Sequence, residues 1–288
     1  MTRRVPKGVS RGRRMLAALA GLTAAVAALA MPVQLFAETV LITGANSGIG
    51  LEFARQYAAK GWTTIATHRR REVPESLAAL AEEFPNVRIE TLDVTNVEQA
   101  RALAAKLADT PIDVLINNAG VYNDRSACDP ADVYCPGDWT TQSFGNFDYD
   151  LLDTIMAVNI KGPLIVSEAF YENVKASELK KIVAISSSNG TITGELPRPR
   201  PGATFYRMSK AALNREMQIV ASSVRPDGVT VLMLNPGPTL TEHQEYLRGN
   251  PIMLEVSFTV GKMIETIDNA TIEDSGQFVR YDGEPEAW

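Results

Sequence analysis

The chain of 288 residues is 45% hydrophobic and 22% charged, with a formal net charge of −6. This apolar content suffices for one sizeable core, because a single α/β domain of about 200–250 residues is normal. No basic patch occurs beyond the first residues, which argues against a nucleic-acid-binding protein.

The N-terminus joins a basic stretch to a long uncharged one. Residues 1–14 contain Lys and Arg but no acid, and residues 15–37 carry no charge. The pattern predicts a cleaved signal peptide, with Ala30 or Ala37 at the cleavage site, or an uncleaved membrane anchor. The remaining alternative is a misassigned start codon that adds a spurious extension.

The same segment leads to an expectation about localisation. The pair Arg13-Arg14 resembles a twin-arginine export signal. We therefore expect an exported, periplasmic protein or a membrane-anchored one, and a cytoplasmic protein if the extension is spurious. Membrane contact is expected through residues 15–37 only, and residues 38–288 are expected to form the folded domain.

A glycine-rich turn opens the folded domain. Residues 38–42 predict a strand and residues 51–60 predict a helix, with the turn between them. This order is typical of a dinucleotide-binding site, in which the helix N-terminus offers unpaired N–H groups to phosphate. Gly44 permits the tight turn, Gly48 lets the backbone approach a pyrophosphate, and Gly50 lets helix and strand pack closely. The residues expected to contact the nucleotide are Gly44, Asn46, Ser47, Gly48, Ile49 and Gly50.

The end of the second predicted strand indicates which nicotinamide cofactor binds. Residues 62–67 predict this strand, and His68 and Arg69 follow it without an acidic residue. NAD-specific sites place Asp or Glu here to hold the ribose 2′-hydroxyl, whereas Arg accommodates a 2′-phosphate. Arg69 therefore favours NADP(H), the alternative being a solvated basic loop.

Strands and amphipathic helices then alternate along the chain. The predicted elements are helices 75–84 and 97–107 and strands 87–92 and 112–116. Such alternation predicts right-handed crossovers and a single α/β domain, a Rossmann-type doubly wound parallel sheet with helices on both faces. Polar turns follow the two strands, at the edge where open α/β sheets bind ligands. These turns contain Asp93, Val94, Asn118, Ala119 and Gly120.

A long polar loop, residues 121–148, separates the two halves of the chain. It carries Cys128 and Cys135, and in an exported protein these two cysteines either form a disulfide or stay unpaired. No His or further Cys lies beside them, so we expect no metal site. The aromatic residues of the loop either line a pocket or, as we favour, fix the loop; they are Tyr122, Trp139, Phe144 and Phe147.

A Tyr and a Lys four residues apart mark the second half. Tyr206 and Lys210 lie near the start of a predicted helix, where residues i and i+4 share one face. A neighbouring ammonium lowers the pKa of a phenol, which makes the phenol usable as a proton donor or acceptor near neutral pH. The other predicted elements are a helix containing Asn159 and strands 181–185, 229–234 and 277–281.

Taken in order, these motifs resemble the short-chain dehydrogenase/reductase family over residues 38–288. The matching positions are Thr43, Gly44, Gly48, Gly50, Asn118, Ala119, Gly120, Asn159, Ser187, Tyr206, Lys210, Pro236, Gly237 and Thr241. Within the family, residues 185–190 and the tail 273–288 look like the C-factor and sniffer-type carbonyl reductases.

The resemblance implies a role for each catalytic residue. Tyr206 would donate a proton to a carbonyl oxygen, and Lys210 would lower the pKa of Tyr206 and hold the nicotinamide ribose. Ser187 would hydrogen-bond the same oxygen, with its two serine neighbours as alternatives. Asn159 would anchor a water that connects Lys210 to solvent. The rest of the cofactor site would comprise Asp93, Val94, Asn118, Ala119, Gly120, Pro236, Gly237 and Thr241.

The expected function is NADP(H)-dependent reduction of a small aldehyde or ketone to an alcohol, or the reverse. The alternative is a catalytically weak NADP-binding signalling or scaffold protein of the C-factor type. By analogy with the family we expect a homodimer or homotetramer. Residues 195–201 stretch the loop before Tyr206 and are expected to shape substrate entry, whereas His68 and His243 are expected to have no catalytic role.

Overall fold

A β-sheet forms the centre of the fold. The computed structural model describes residues 1–2, 37–123, 138, 140–193 and 203–288, and these residues include nine strands. The strands are β1 Thr39–Ile42, β2 Thr63–His68, β3 Val87–Thr91, β4 Val114–Asn117, β5 Lys181–Ile185, β6 Thr230–Asn235, β7 Thr239–Leu240, β8 Leu254–Glu255 and β9 Phe278–Arg280.

Eight α-helices of the described residues connect and cover these strands. They are α1 Gly48–Ala59, α2 Glu75–Glu83, α3 Val97–Lys106, α4 Tyr149–Met156, α5 Gly162–Ala169, α6 Tyr171–Lys175, α7 Thr204–Val224 and α8 Val256–Asn269. One π-helical turn, Ala157–Lys161, joins α4 to α5. Such single π-turns inside α-helices occur frequently at functional sites.

Seven strands form one sheet in the order β3-β2-β1-β4-β5-β6-β9, and every neighbouring pair is parallel. The strand order changes direction beside β1, where the chain crosses from β3 to β4. Ligands bind at this kind of switch point, outside the carboxyl ends of the strands. The predicted Rossmann-type fold is therefore confirmed.

Helices cover both faces of the sheet, as predicted. On one face α3, α5 and α7 contribute Leu103, Val166 and Met217 to a core with residues of the sheet. On the other face α1, α2 and α8 pack against the strands through residues such as Phe53 and Leu80, both fully buried. Because both faces are covered, the central strands are continuous apolar runs, not alternating ones.

The seven strands of the main sheet were all predicted, with bounds that differ by no more than two residues. Helix α8 and the small parallel pair of β7 with β8 were not. Lys181, predicted only as a strand residue, donates from Nζ to the carbonyls of Ile267 and Asp268 at 2.6 and 3.0 Å. A buried ammonium thereby satisfies carbonyls at the C-terminus of α8, where a cation is favourable.

The C-terminal tail returns to the sheet and to the turn after β5. The centre of the Trp288 ring lies 5.9 Å from that of the Phe278 ring in β9. Thr191 Oγ1 donates to the carbonyl of Ala287 at 2.9 Å. The tail therefore borders the segment that follows Ser187.

Several predictions concern residues outside the described ones. These are the apolar segment up to residue 36, the cysteines Cys128 and Cys135, Trp139, and the loop 195–201. Among the residues that the structure does describe, no helix has the length and apolar character needed to cross a membrane.

Gly50 shows why helix α1 can approach the sheet so closely. A Cβ at this position would lie 2.4 Å from Asn118 Nδ2 and 2.5 Å from the Gly44 carbonyl oxygen. Both distances are far below van der Waals contact. Gly50 therefore allows helix α1 to pack closely on the sheet, as predicted. The turn after β4, which carries Asn118, takes part in the same contact.

We expect Gly50→Ala to lower the free energy of unfolding by about 1–3 kcal/mol, as overpacking does in well-filled cores. Urea denaturation of the nucleotide-free protein measures this. Gly261→Ala is the matched control, since its Cβ meets only Gln56 Oε1 at 3.4 Å. Within helix α8 that alanine should be neutral or stabilise by up to about 1 kcal/mol. Equal effects of the two substitutions would contradict the packing argument.

Candidate active site

The turns after β1 and β4 are locked together at the carboxyl edge of the sheet. Thr43 Oγ1 accepts from the backbone N–H groups of Asn118 and Ala119, each at 3.0 Å. Asn118 Nδ2 donates to the carbonyls of Thr43 and Gly44 at 2.9 and 3.1 Å. Gly44 has a φ of +63°, and a Cβ there would lie 2.9 Å from Ala119 Cα. The predicted tight turn at Gly44 is thus present. Glycine is needed there for a second reason, because the Ala119 backbone leaves no room for a side chain.

The glycine turn presents the N-terminus of α1 as predicted. Helix α1 begins at Gly48, and the Ser47 side chain before it makes no capping hydrogen bond. Gly48 has a φ of +55°, which favours glycine. Ile49 is partly buried against the sheet, and the Asn46 carbonyl accepts from Ser76 Oγ at 2.7 Å. A glycine turn at a helix N-terminus, with N–H groups that have no partner within the helix, fits the phosphates of a dinucleotide.

One contact at this turn was missed by the sequence reasoning. Glu242 Oε1 accepts from the Gly48 N–H at 2.8 Å, although the two residues are 194 positions apart. No local pattern signals such a contact, because Glu242 reads as an ordinary acid after Thr241. A carboxylate therefore already binds the helix N-terminus that the phosphates would use.

The predicted cofactor residues after β2 and β3 differ in how accessible they are. Arg69 is exposed beyond the end of β2, next to two further arginines, and no acid is close in sequence before Glu72. Asp93 Oδ1 accepts from the N–H and hydroxyl of Thr95 at 2.9 and 2.8 Å. Val94 is only 6% exposed and belongs to the core, so its side chain is a packing group.

The turn after β6 holds the third group of predicted cofactor residues. Pro236 accepts at its carbonyl from Thr239 Oγ1 at 2.8 Å, and Gly237 has a φ of +70°. Thr241 Oγ1 donates to Gln244 Oε1 at 2.9 Å within the following 3₁₀ segment. The Thr241 methyl lies beside Gly48, so the turns after β1 and β6 meet across the carboxyl edge.

Helix α7 brings Tyr206 and Lys210 to the carboxyl end of β5. Lys210 is 5% exposed, and its Nζ donates to the Ile185 carbonyl at 2.7 Å. The same Nζ lies 5.6 Å from the centre of the Tyr206 ring. Tyr206 is partly exposed, whereas Phe205 and Ser209 on either side of it along the helix are buried. The predicted pairing of phenol and ammonium on one helix face is therefore present.

The expected effect of Lys210 on Tyr206 is wrong in this structure. Although part of the Tyr206 side chain is exposed, desolvation of its phenol raises the pKa, the nearby Tyr122 raises it further, and only Ser187 acts in the opposite direction. Burial also lowers the pKa of Lys210, to about 8. Removing water disfavours both charged forms, and the ammonium is directed at a backbone carbonyl instead of the phenol oxygen. The phenol therefore holds its proton at neutral pH.

Ser187 is the serine that faces Tyr206. The two alternative serines have other surroundings. Ser186 donates its hydroxyl hydrogen to Asn214 Oδ1 at 2.5 Å, and Ser188 is exposed. Gly190 explains the placement: a Cβ there would lie 2.7 Å from the Lys210 carbonyl carbon. The turn that carries Ser187 can therefore rest directly on helix α7.

Asn159 lies in the π-turn, and its side chain is fully engaged with protein groups. Its Oδ1 accepts from the Val121 N–H at 2.7 Å, and its Nδ2 donates to the Val121 carbonyl and Ser209 Oγ at 2.8 and 2.9 Å. The side chain thus joins the start of the long loop to helix α7. A water held by Asn159, as the resemblance implies, would bind at its main-chain carbonyl or at the second lone pair of Oδ1.

Two further residues hold Tyr206 and were not singled out as site residues. Gln142 is fully buried; its Nε2 donates to the Tyr122 carbonyl at 3.0 Å and its Oε1 accepts from the Tyr206 N–H at 3.1 Å. The Tyr122 ring packs edge-on against the Tyr206 ring, with centres 4.6 Å apart. The first turn of α7 lacks a capping side chain at Ala203, so Gln142 supplies an acceptor from another part of the chain.

The remaining candidates are the aromatic residues of the long loop and the two histidines. Phe147 packs on Phe205 with ring centres 5.0 Å apart, which fixes the loop, whereas Phe144 is exposed. His68 is buried at the end of β2, and His243 is exposed beside Glu242. The described residues contain no group of three or more His, Cys, Asp or Glu side chains that could hold a metal ion.

Comparison with known proteins agrees with this geometry. A family model of the short chain dehydrogenases matches residues 38–251. C-signal from Myxococcus xanthus is 30% identical over 188 residues, which are 65% of this chain and 99% of that protein.

Two solved structures share the fold over 88% of this chain and 100% of their own. The NADPH-bound carbonyl reductase from chicken fatty liver has 28% sequence identity and a TM-score of 0.76. The carbonyl reductase Sniffer of D. melanogaster has 25% identity and a TM-score of 0.67. These similarities confirm the predicted resemblance to C-factor and sniffer-type proteins. The chain belongs to the short-chain dehydrogenase/reductase family and is an oxidoreductase of that family.

Proposed function

We propose that this protein is an NADP(H)-dependent carbonyl reductase that converts an aldehyde or ketone to an alcohol, with Tyr206 as the proton donor. The observation that carries the proposal is the convergence of Tyr206, Ser187 and Lys210 at the carboxyl end of β5. A protein that only bound a nucleotide would not need a phenol and a serine hydroxyl at one point.

The direction of the Tyr206 pKa supports a donor. Because burial keeps the phenol protonated at neutral pH, it is ready to give a proton to an oxygen that gains negative charge. The nicotinamide, when bound, supplies the hydride, and the protein supplies orientation and charge. Ser187 would donate a hydrogen bond to the same oxygen and so fix it in front of the phenol.

Lys210 would return the proton to Tyr206 and hold the ribose of the nicotinamide. Its pKa of about 8 makes proton exchange easy near neutral pH, which an ammonium of ordinary pKa would not allow. Gln142 would keep the phenol in position through the Tyr206 N–H. Asn159 would do the same for the loop beside it, through Val121.

NADP(H) is the cofactor that the chain's own residues favour. Arg69 is exposed at the end of β2, where it would meet a ribose 2′-phosphate, and His68 before it is buried and neutral near pH 7 because burial lowers its pKa. The similar reductase from chicken fatty liver binds NADPH.

A nucleotide-binding signalling protein with weak turnover is the second candidate, because the chain is similar to C-signal. The two functions differ in what they require of Tyr206. NADPH oxidation measured against a panel of aldehydes and ketones separates them, since the second candidate binds NADPH but oxidises it only weakly.

We expect Tyr206→Phe to lower kcat/KM for carbonyl reduction by roughly 10²–10⁴-fold, because the proton donor is lost. NADPH affinity, followed by fluorescence, should change little. Tyr149→Phe removes the same hydroxyl from an exposed tyrosine and is the matched control. Reduction that survives in the Tyr206 variant would exclude this phenol as the acid.

Lys210 should make the nucleotide-free protein more stable as the pH rises. Its folded pKa of about 8 lies below that of an unfolded lysine, so between about pH 8 and 10 the unfolded chain binds more protons. The free energy of unfolding should therefore rise across this window, by up to about 3 kcal/mol. Urea titrations at several pH values should show this rise in the parent protein and a smaller rise in Lys210→Met.

The control for this measurement is Lys262→Met, which removes an exposed lysine. It should keep the pH dependence of the parent protein. Burial lowers the pKa of Lys181 as well, so Lys181 adds to the rise in all three proteins, and only the difference between them reports on Lys210. Identical slopes for the parent and Lys210→Met would show that the ammonium is not desolvated.

Arg69→Ala should raise the KM for NADPH by roughly tenfold or more and leave that for NADH nearly unchanged, because one charge-assisted contact to the 2′-phosphate is lost. Arg215→Ala, on the exposed face of α7, is the control for a general loss of positive charge. Equal losses with both cofactors would contradict the role of Arg69 in selecting NADP(H).

A further inference from the structure

The carboxylate of Glu242 lies where a dinucleotide would place its negative charge. Glu242 begins the 3₁₀ segment Glu242–Leu247, directly after Thr241. Its Oε1 accepts from the Gly48 N–H at 2.8 Å. Gly48 is the first residue of α1, so the bonded N–H is one of those that have no partner within the helix.

This contact is favourable in itself. The N-terminus of a helix carries a partial positive charge, and an anion there is stabilised. The Ser47 side chain makes no capping hydrogen bond, so Glu242 takes the place of a cap from far along the chain. The protein therefore holds an anion of its own at the glycine turn.

The 3₁₀ segment covers the turn as well as binding it. A Cβ on Gly48 would lie 3.4 Å from Thr241 Cγ2 and 4.0 Å from Glu242 Oε2. His243 Nε2 is 3.9 Å from Glu242 Oε1, on the outer side of the segment. Thr241 and Glu242 thus rest together on the backbone that a pyrophosphate must approach.

We propose that Glu242 is an internal latch that occupies the phosphate position of the nucleotide-free protein and is displaced by the cofactor. The inference rests on the proposed use of a dinucleotide. Incoming phosphate and the Glu242 carboxylate compete for the same helix N-terminus, and their like charges repel at short range. Binding of the pyrophosphate therefore releases the segment that carries Thr241, so cofactor entry and movement of this segment are one event.

Because the Glu242 carboxylate must be displaced, the affinity for the cofactor is lower than it would be without this contact. Glu242→Gln keeps the size of the side chain and removes its charge, so the dissociation constant for NADPH should fall by roughly tenfold. Titration of the full-length protein, followed by NADPH fluorescence, measures this. Adenosine 2′-monophosphate has no pyrophosphate, and its affinity should be the same in both proteins.

Glu245→Gln is the matched control for the loss of one negative charge. Glu245 lies in the same segment but pairs with Arg248, away from Gly48. It should leave the affinity for NADPH unchanged. Equal tightening by Glu242→Gln and Glu245→Gln, or equal tightening for NADPH and adenosine 2′-monophosphate, would reduce the effect to general charge and overturn the latch.

A second readout does not depend on the cofactor. Glu242→Ala should speed amide hydrogen exchange of residues 47–50 and 241–247 in the nucleotide-free protein, because the N–H of Gly48 and the segment lose their contact. Unchanged exchange would overturn the latch. If the parent and the Glu242 variants alike failed to bind NADPH, the proposed function would fall with the displacement step, while the exchange result would still decide whether the contact exists.

Discussion

The hydrogen bond from Lys210 Nζ to the Ile185 carbonyl is the contact on which the site depends. It ties helix α7 to the carboxyl end of strand β5. An ammonium that is 5% exposed needs such a partner, because an unpaired buried charge is strongly unfavourable. Gly190 allows the turn after β5 to rest on the helix at the same place, and Tyr206 and Ser187 are thereby brought together.

Burial has opposite effects on the two titratable groups of this pair. It raises the pKa of Tyr206 and lowers that of Lys210, so both groups are driven toward their neutral forms. The ammonium does not act on the phenol through direct contact, since its hydrogen bond is made to the backbone. A substrate oxygen that gains negative charge in this site would therefore meet a protonated phenol.

Most of the fold followed from patterns that are local in sequence. The alternation of strands and helices predicted all seven strands of the sheet, since parallel strands buried on both faces are continuous apolar runs. The spacing of Tyr206 and Lys210 placed them on one helix face, and the glycine turn was recognisable from its neighbours. Helix α8 and the pair of β7 with β8 were missed; the two strands have only two residues each, too few to show a periodic pattern.

What the sequence did not yield are contacts between distant segments. Gln142 reaches Tyr206 over 64 positions, and Glu242 reaches Gly48 over 194. The sign of the Tyr206 pKa shift has the same origin, since the spacing reveals a nearby lysine but not how much water the surrounding turns exclude. In this site helix α7 supplies Tyr206 and Lys210. Turns and loops that follow other strands determine the protonation of these side chains and the access of ligands to the site. A sequence motif therefore identifies the reacting groups, whereas the tertiary contacts around the motif determine their protonation states.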